Sequence, residues 1–273
     1  MKLLVGTLYS SENEFEECCQ AIEEQSYTNF HHEIIRNLSK KEAHENLYGM
    51  FMQRSDEFDL LVKVDADMVI EDRHLFRKIV NKFEADGELD LLLIAVKDFF
   101  TDKLLIGMNV FRNTVRWNLG NESLFTDMTY DRSTVRKTLK DYEELAPAAV
   151  HCQNPSPFQS FHFGFHRGMK AVKEGSNWRV LRDIYGHYNK NADSRLAFAL
   201  LGVNAAFTNR FSVQNISYND DTMVNYFKEM YENKEAEYLH RAVKRSKIFR
   251  LFSLPVDMRI LYKYYRYKSQ LFQ

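Results

Sequence analysis

Short apolar runs alternate with amphipathic segments along the amino-terminal part of the chain. The runs are typical of buried strands, and between them apolar residues recur every three or four positions, which is typical of helices. Strands are predicted over residues 2–8, 32–36, 60–64, 89–96 and 104–111. Because helices separate the first four strands, the pattern predicts an α/β fold with a mostly parallel sheet flanked by helices on both faces.

Two Ser-x-x-Glu sequences mark predicted helix starts. Ser11–Glu14 and Ser39–Glu42 have the form of capping boxes, in which the serine and glutamate side chains each bond to the other residue's backbone N–H. The regularity falls after residue 112, where loops and further helices are predicted. Apart from the two capped helices, the predicted helices cover residues 72–83, 133–145, 157–173, 176–188, 194–206, 221–247 and 255–271.

Composition excludes several classes of protein. The 273 residues are 45% hydrophobic, which is enough for one large core or two small ones. A net charge of −1 argues against a molecule built around polyanion binding, and only 10 Gly and 4 Pro argue against disorder. No apolar run reaches the ~20 residues of a membrane span. The apolar run at the amino terminus is too short for a signal peptide and is predicted as a strand.

The number and spacing of the cysteines indicate the redox environment of the protein. The chain has Cys18, Cys19 and Cys152, an odd number without Cys-x-x-Cys spacing. This pattern predicts a reducing environment, with neither structural disulfides nor a zinc site. We therefore expect a cytoplasmic protein, or one that is peripheral to a membrane from the cytoplasmic side.

Two carboxylates follow the third predicted strand. Asp65 and Asp67 are one residue apart, so strand alternation points both to the same side. Their oxygens suit a hard divalent cation, Mg²⁺ or Mn²⁺, that itself holds phosphates. Ligands of parallel sheets bind outside the carboxyl ends of the strands. The pair therefore predicts a metal–nucleotide site, and the alternative is a strand that ends in a polar turn.

Four segments precede this pair in a characteristic order, namely Leu3–Tyr9, Asn13–Cys18, Glu24–Phe30 and Glu33–Ile35. In order and spacing, residues 2–85 resemble the opening of family 2 glycosyltransferases of the GT-A fold. Asp65-Ala66-Asp67 lies where that family carries its Asp-x-Asp motif. The resemblance implies a Rossmann-like GT-A sheet with a helical carboxyl-terminal extension.

The resemblance also implies a function. It implies transfer of a hexose from a UDP- or GDP-linked nucleotide-diphospho-sugar to a glycan or lipid-linked acceptor, as in cell-surface polysaccharide synthesis. Catalysis would depend on Asp65 and Asp67 through the metal, which neutralises the leaving diphosphate. The expected divisions are a donor half, an acceptor side and a basic helical extension, over residues 1–112, 113–215 and 216–273.

The implied nucleotide-sugar contacts lie at the ends of the first three strands. They are Thr7, Leu8, Tyr9, Asn37, Lys63, Asp65, Ala66 and Asp67. Tyr9 would pack against the base, and Asn37 stands where the family carries an acidic pair. Lys63 has two interpretations, a phosphate contact or a strand residue that extends its ammonium group to solvent.

A second candidate cluster lies on the predicted helix 157–173. His162, His166 and Lys170 follow one edge of its apolar face. Some GT-A enzymes complete the metal shell with a histidine and hold the diphosphate with a lysine. By that resemblance His162 is predicted as a metal ligand, and His166 and Lys170 as nucleotide contacts. The alternative is a pair of histidines that flank a core, and His151 is a third candidate histidine.

An inverting transfer also needs a carboxylate as general base. Stereochemistry and the base both stay open, and the candidates are Asp98, Asp127, Asp131, Glu143 and Glu144.

The carboxyl-terminal segment is basic and aromatic. Residues 241–273 carry nine Lys or Arg and a single acid, Asp257. This composition predicts contact with an anionic membrane surface. The alternative is a core-packed helix with a solvated basic face. Since no nucleic-acid-binding motif is found, no nucleic-acid partner is expected.

Two other functions remain as alternatives. A nucleotidyltransferase of related architecture would need a glycine-rich phosphate loop after the first strand, and Leu8–Ser11 contains no glycine. A non-catalytic module could dock on a membrane or a partner through its basic segment, but the intact aspartate pair counts against it.

Overall fold

The computed structural model describes residues 1–120, 130–208, 218 and 220–252. This part of the chain forms two compact units. The first contains residues 1–99, 103–120, 130–154 and 218, and the second contains 100–102, 155–208 and 220–252. The three-part division at residues 112 and 215 stays a prediction.

The first unit is built on a mixed sheet that has eight strands within the described residues. They are β1 (Leu3–Tyr9), β2 (Phe30–Arg36), β3 (Leu60–Asp65), β4 (Met68–Val69), β5 (Leu89–Asp98), β6 (Lys103–Arg112), β7 (Lys137–Asp141) and β8 (Val150–His151). Their order is β2-β1-β3-β6-β5-β8-β4, and β7 pairs with β5. The five strands predicted from apolar runs are therefore confirmed.

The sheet is mixed rather than mostly parallel. β1 pairs in parallel with β2 and β3, as predicted. β6 runs antiparallel to both β3 and β5. Only four residues connect β5 to β6, whereas a parallel connection needs a crossover of a dozen or more residues. The short connection therefore forces a hairpin.

Helices cover both faces of this sheet. They are α1 (Phe15–Glu23), α2 (Lys40–Gln53) and α3 (Leu75–Ala85). The apolar sides of α1 and α3 pack into one core cluster, together with Leu3 and Val5 of β1. The apolar side of α2 packs into the other cluster, together with Leu4. Alternate residues of β1 thus enter opposite cores, as predicted for a sheet covered on both faces.

Three local predictions meet different outcomes. The capping box of Ser39 and Glu42 at the start of α2 is confirmed. The box predicted at Ser11 is wrong, because α1 begins only at Phe15 and has no side-chain cap. The helix predicted over 133–145 is also wrong. A short 3-10 helix, Arg132–Thr134, leads there into β7, which pairs with β5.

The described part of the second unit is helical. It contains α4 (Pro157–Glu174), α5 (Trp178–Asn191), α6 (Ser194–Phe207), α7 (Asp221–Met230), α8 (Ala236–Arg245) and α9 (Lys247–Phe252). The single helix predicted over 221–247 is divided, because the chain turns between α7 and α8 with Asn233 in the left-handed region at φ 62°. The helix predicted over 255–271 lies outside the described residues.

Glycines let α4 and α6 approach each other at backbone distance. A Cβ added at Gly164 would lie 1.8 Å from the carbonyl oxygen of Ala199. A Cβ added at Gly202 would lie 2.0 Å from the carbonyl oxygen of Phe161. Both separations are far below van der Waals contact, so any larger side chain would push the two helices apart.

Three apolar side chains of the basic segment pack inside the second unit. Ile248, Phe249 and Phe252 of α9 are buried, and the Phe249 ring stacks on Tyr185 with centroids 5.6 Å apart. The basic side chains Arg241, Lys244, Arg245 and Lys247 are exposed. This arrangement matches the core-packed alternative for residues 241–252. Residues 253–273 lie outside the described part of the chain.

No helix in the described ranges combines the length and the apolar character that crossing a bilayer would require.

Replacing Gly164 by Ala is expected to lower the free energy of unfolding by about 1–3 kcal/mol or more, because overpacking forces the backbone to move. The matched control is Gly186→Ala on α5, where an added Cβ meets no described atom within 4 Å. There the substitution should raise the free energy of unfolding by about 0.5–1 kcal/mol. Urea unfolding of both variants measures the difference, and equal stabilities would contradict the close packing of α4 on α6.

Candidate metal and nucleotide site

Several polar side chains meet at one edge of the first unit's sheet. Because β6 is antiparallel to both β3 and β5, β3 and β5 run in the same direction, and β1 and β8 run with them. Their carboxyl ends therefore share an edge, which we name the carboxyl edge. Asp65, Asp98 and His151 are the last residues of β3, β5 and β8.

Asp65 is paired with a lysine from its own strand. Its Oδ1 accepts a hydrogen bond from Nζ of Lys63 at 2.5 Å. The Lys63 side chain is only 4% exposed, whereas that of Asp65 is 37% exposed. Lys63 therefore does not extend its ammonium group to solvent, and that interpretation is wrong. The ammonium group instead balances the charge of one of the two aspartates.

Asp67 has one engaged and one orphaned carboxylate oxygen. Its Oδ2 lies 3.4 Å from Nε2 of His151 and accepts a hydrogen bond from Sγ of Cys152 at 3.3 Å. Its Oδ1 is buried and has no hydrogen-bond partner among the described residues. A buried polar atom left unpaired costs about 1–3 kcal/mol, and more when it is charged. This oxygen is therefore suited to a ligand, and a cation is the ligand that a carboxylate prefers.

Asp67 is held as an anion by its neighbours. Burial alone would raise the pKa of its carboxyl group. The charge of His151, the hydrogen bonds from His151 and Cys152, and the charge of Lys63 outweigh burial and lower this pKa to about 2. Asp67 therefore offers a carboxylate at any physiological pH.

His151 is oriented by a buried carboxylate. Its Nδ1 lies 2.7 Å from Oδ1 of Asp98, whose side chain is fully buried. Its Nε2 consequently faces Asp67 and Cys152, with Sγ of Cys152 at 3.5 Å. Burial lowers the pKa of His151, but the charges of Cys152 and Asp67 and the bond to Asp98 raise it well above the usual range.

Cys152 closes this cluster. Burial, followed by the charge of Asp67, raises the pKa of its thiol well above the usual range. Its backbone N–H donates to the carbonyl oxygen of Asp67 at 2.8 Å, which ties the two loops together. One ligand atom from each of Asp67, His151 and Cys152 lies within 4.8 Å of the others. The spacing of the cysteines does not indicate this cluster.

Glu12 is a further carboxylate that the sequence did not reveal. Burial, the charge of Asp67 and, to a smaller extent, that of Asp65 raise the pKa of Glu12 to about 8. Its Oε2 accepts a hydrogen bond from the backbone N–H of Ser10 at 2.5 Å. The only sequence signal was its place in the misassigned capping box.

The predicted nucleotide contacts divide between the sheet interior and the carboxyl edge. Thr7 is fully buried, and its Oγ1 lies 2.9 Å from Nε2 of His32. Ala66 is buried and donates its N–H to the carbonyl oxygen of Leu8, which is half-buried. The structure thus places Thr7 within the packed sheet and Ala66 in the buried turn between β3 and β4.

Tyr9 and Asn37 are brought together at the carboxyl edge. The backbone N–H of Asn37 donates to the carbonyl oxygen of Tyr9 at 2.9 Å, with Asn37 exposed and in the left-handed region at φ 57°. The Tyr9 ring packs on Phe15 with centroids 4.0 Å apart, and the Arg36 guanidinium group lies 5.3 Å from its centroid. Tyr9 therefore already has aromatic and cationic neighbours.

The α4 candidates belong to the second unit. The rings of His162 and His166 lie parallel on successive turns with centroids 6.4 Å apart, and Lys170 lies one turn further on. Their assignments as metal ligand and nucleotide contacts stay predictions. The histidine that the structure places beside Asp67 is His151, the third candidate.

None of the candidate bases stands out. Asp98 is buried against His151, and Asp131 accepts hydrogen bonds from Ser133 at the 3-10 helix. Glu144 binds Lys82 at 2.5 Å. Glu143 is exposed, and Asp127 lies outside the described residues.

The second unit contains a cavity of about 490 Å³. Aromatic and apolar side chains supply much of its lining, among them Phe158, Phe198, Phe227, Tyr231 and Leu239.

Comparison with known proteins gives distant structural neighbours. No family model and no curated protein matches the sequence. Protein A197 from STIV has 14% identity to this chain and a TM-score of 0.32. The match covers 41% of this chain and 65% of the length of that protein. The mannosyltransferase PcManGT from Pyrobaculum calidifontis, solved with GDP-Man and Mn²⁺, has 12% identity and a TM-score of 0.42, over 92% of this chain and 83% of that one. Both TM-scores lie below 0.5, so neither likeness assigns a ligand or an activity.

Replacing Glu12 by Gln should make stability less dependent on pH in the metal-free protein. The pKa of Glu12 is raised from 4.5 to about 8, so its contribution to stability is complete below pH 4.5 and lost as the pH rises through 8. The free energy of unfolding of the variant should therefore exceed that of the natural protein by more than ~1 kcal/mol at about pH 9. At about pH 5 the two free energies should differ little.

Urea unfolding in the presence of a chelator, at both pH values, measures this difference. The control is Glu17→Gln, which makes the same substitution at an exposed residue of α1. If both variants follow the natural protein across the range, Glu12 is not held close to the aspartates.

Proposed function

We propose that this chain is a metal-dependent glycosyltransferase, of the hexosyl type, that uses a UDP- or GDP-linked nucleotide-diphospho-sugar. The observation that carries the proposal is the buried, unpaired Oδ1 of Asp67 at the carboxyl edge. It belongs to the Asp65-Ala66-Asp67 run, whose place in the sequence resembles the family motif. Together they support a cation at the position where ligands of α/β sheets bind.

The residues present fit a divalent cation. Three carboxylates, of Glu12, Asp65 and Asp67, are close enough for the two aspartates to raise the pKa of Glu12. The charge of the two aspartates is costly so close together unless positive charge balances it. We propose Asp67 and Asp65 as the residues that hold Mn²⁺ or Mg²⁺. When bound, the cation would neutralise charge on the leaving diphosphate.

Lys63 and Tyr9 would organise the donor side. Lys63 keeps the carboxylate of Asp65 in place through a 2.5 Å bond and adds positive charge near the predicted diphosphate. Tyr9 offers a ring supported by Phe15 and Arg36, and Asn37 offers an exposed amide beside it. This pair suits the base and ribose of a nucleotide, which need stacking and hydrogen bonds.

The acceptor, either a glycan or a lipid-linked glycan, is proposed for the chain beyond residue 112. The aromatic cavity of the second unit is a concave surface of the size that small ligands occupy. A role in cell-surface polysaccharide synthesis, a cytoplasmic location and contact of residues 253–273 with a membrane belong to the same proposal.

The loop after β1 argues against a nucleotidyltransferase. In such enzymes the backbone N–H groups of this loop bind phosphates. Here the N–H of Ser10 donates instead to the carboxyl group of Glu12, so it is already engaged and does not face a phosphate.

Mn²⁺ together with UDP or GDP is expected to raise the unfolding temperature of the natural protein, and neither alone should do so to the same extent. At a ligand concentration of 100 times Kd, the gain in stability is about 2.7 kcal/mol. Asp67→Asn should abolish the gain, because it removes the anionic ligand without changing the side-chain volume. Asp56→Asn, an exposed residue before β3, makes the same charge change at the opposite edge and should keep the gain.

Thermal unfolding with each ligand, followed by hydrolysis assays with nucleotide-sugars, makes the measurement. A preference for triphosphates would favour the nucleotidyltransferase, and the absence of any stabilisation would favour the non-catalytic docking module. Stabilisation that persists in Asp67→Asn would contradict the proposed site.

A further inference from the structure

We propose that Asp67, His151 and Cys152 form a cation site with one oxygen, one nitrogen and one sulfur ligand, which selects Zn²⁺ or Co²⁺ over Mg²⁺. The inference deepens the proposed function, because Asp67 serves both. It rests on that function only for the use of the cation in sugar transfer, and the cation site itself stands on the geometry of the three side chains.

The spacing of the three ligand atoms fits tetrahedral coordination. Asp67 Oδ2 lies 3.4 Å from His151 Nε2 and 3.3 Å from Cys152 Sγ, and the nitrogen and sulfur are 3.5 Å apart. A tetrahedron with the metal–ligand lengths of zinc, about 2.0–2.3 Å, has edges of about 3.3–3.8 Å. The three atoms therefore already occupy three corners of such a site.

The chemistry of the ligands selects among metals. Carboxylate, imidazole and thiolate together suit zinc and its neighbours, whereas Mg²⁺ requires six oxygen ligands in octahedral geometry. Three protein ligands leave a fourth position open, as in zinc sites that bind a water or a substrate. A phosphate oxygen of a nucleotide donor is the group that this position would accept.

The surroundings hold the ligands in place. Asp98, fully buried, binds Nδ1 of His151 and so directs Nε2 toward the other two ligands, the arrangement that orients histidines in metal sites. Cys152 adopts φ 53°, a strained conformation for a residue with a side chain, and its N–H donates to the carbonyl of Asp67. Glu14, also buried, anchors the same loop through the N–H of Asn154 at 2.8 Å.

A catalytic thiol is a less suitable interpretation of the same residues. Cys152, His151 and Asp98 follow the order of nucleophile, base and orienting acid. However, Cys152 is only 1% exposed, and the carboxylate of Asp67 lies 3.3 Å from its sulfur. Both features disfavour a free thiolate, and reactive cysteines need electropositive and accessible surroundings. A cation reverses this disadvantage, since it stabilises the thiolate and the carboxylate together.

The test is a Co²⁺ titration of the full chain after removal of metal by a chelator, with absorption spectroscopy as the readout. We expect one Co²⁺ per chain and a thiolate-to-cobalt charge-transfer band. Cys152→Ser should abolish the band, and Cys19→Ser, a second thiol of the chain, should keep it. Zn²⁺ should displace the cobalt, and a large excess of Mg²⁺ should not.

Asp98 is tested as a positioning residue. Asp98→Asn should weaken Co²⁺ binding by about 10–100-fold and keep the charge-transfer band at saturation. Unfolding curves of each metal-free variant identify any that fail to fold, and Asp67→Asn provides a second ligand variant. Absence of the band in the natural chain, or its persistence in a folded Cys152→Ser variant, would overturn the proposal.

The titration contains no nucleotide, so it separates this inference from the proposed function. A charge-transfer band without any stabilisation by nucleoside diphosphates would support the cation site and contradict the proposed transferase function. Stabilisation by Mn²⁺ and nucleoside diphosphate that depends on Asp67, without a sulfur-to-cobalt band, would support the transferase function and contradict the cation site with a sulfur ligand.

Discussion

The direction of β6 determines where the polar groups of the first unit meet. β6 lies between β3 and β5 and is antiparallel to both, so those two strands end on the same side of the sheet. β8 joins beside β5 in parallel, and its last residue, His151, lies opposite Asp98 in the register. This arrangement brings Asp67 into contact with His151, although the two residues are 84 positions apart in the chain.

Charge balance explains how so many carboxylates remain at the carboxyl edge. Lys63 neutralises Asp65, and His151 lies between Asp98 and Asp67. Buried charges are tolerated only when they are paired and hydrogen-bonded. Glu12 accepts a hydrogen bond from the N–H of Ser10, and burial followed by the charge of Asp67 raises its pKa. The edge is thus balanced except around Asp67 and Glu12, which is where added positive charge would be most stabilising.

The sequence predicted those features that depend on local patterns. Apolar runs identified β1, β2, β3, β5 and β6, and the Asp65–Asp67 spacing identified the candidate site. The pattern missed β4, β7 and β8, because two-residue strands such as β4 and β8 have no periodicity and β7 depends on its pairing with β5. His151 and Cys152 lie 53 and 85 residues from Asp98 and Asp67, so only the tertiary fold brings them together.

Asp67 is shared between two ligand sets that differ in what a cation must displace. A cation held by Asp65 and Asp67 would share the carboxylate of Asp65 with the buried ammonium group of Lys63. A cation held by Asp67, His151 and Cys152 would replace protons on ligand atoms that already lie at coordination spacing. The two sets use different oxygens of Asp67, because Oδ2 faces His151 and Cys152 whereas Oδ1 has no hydrogen-bond partner among the described residues.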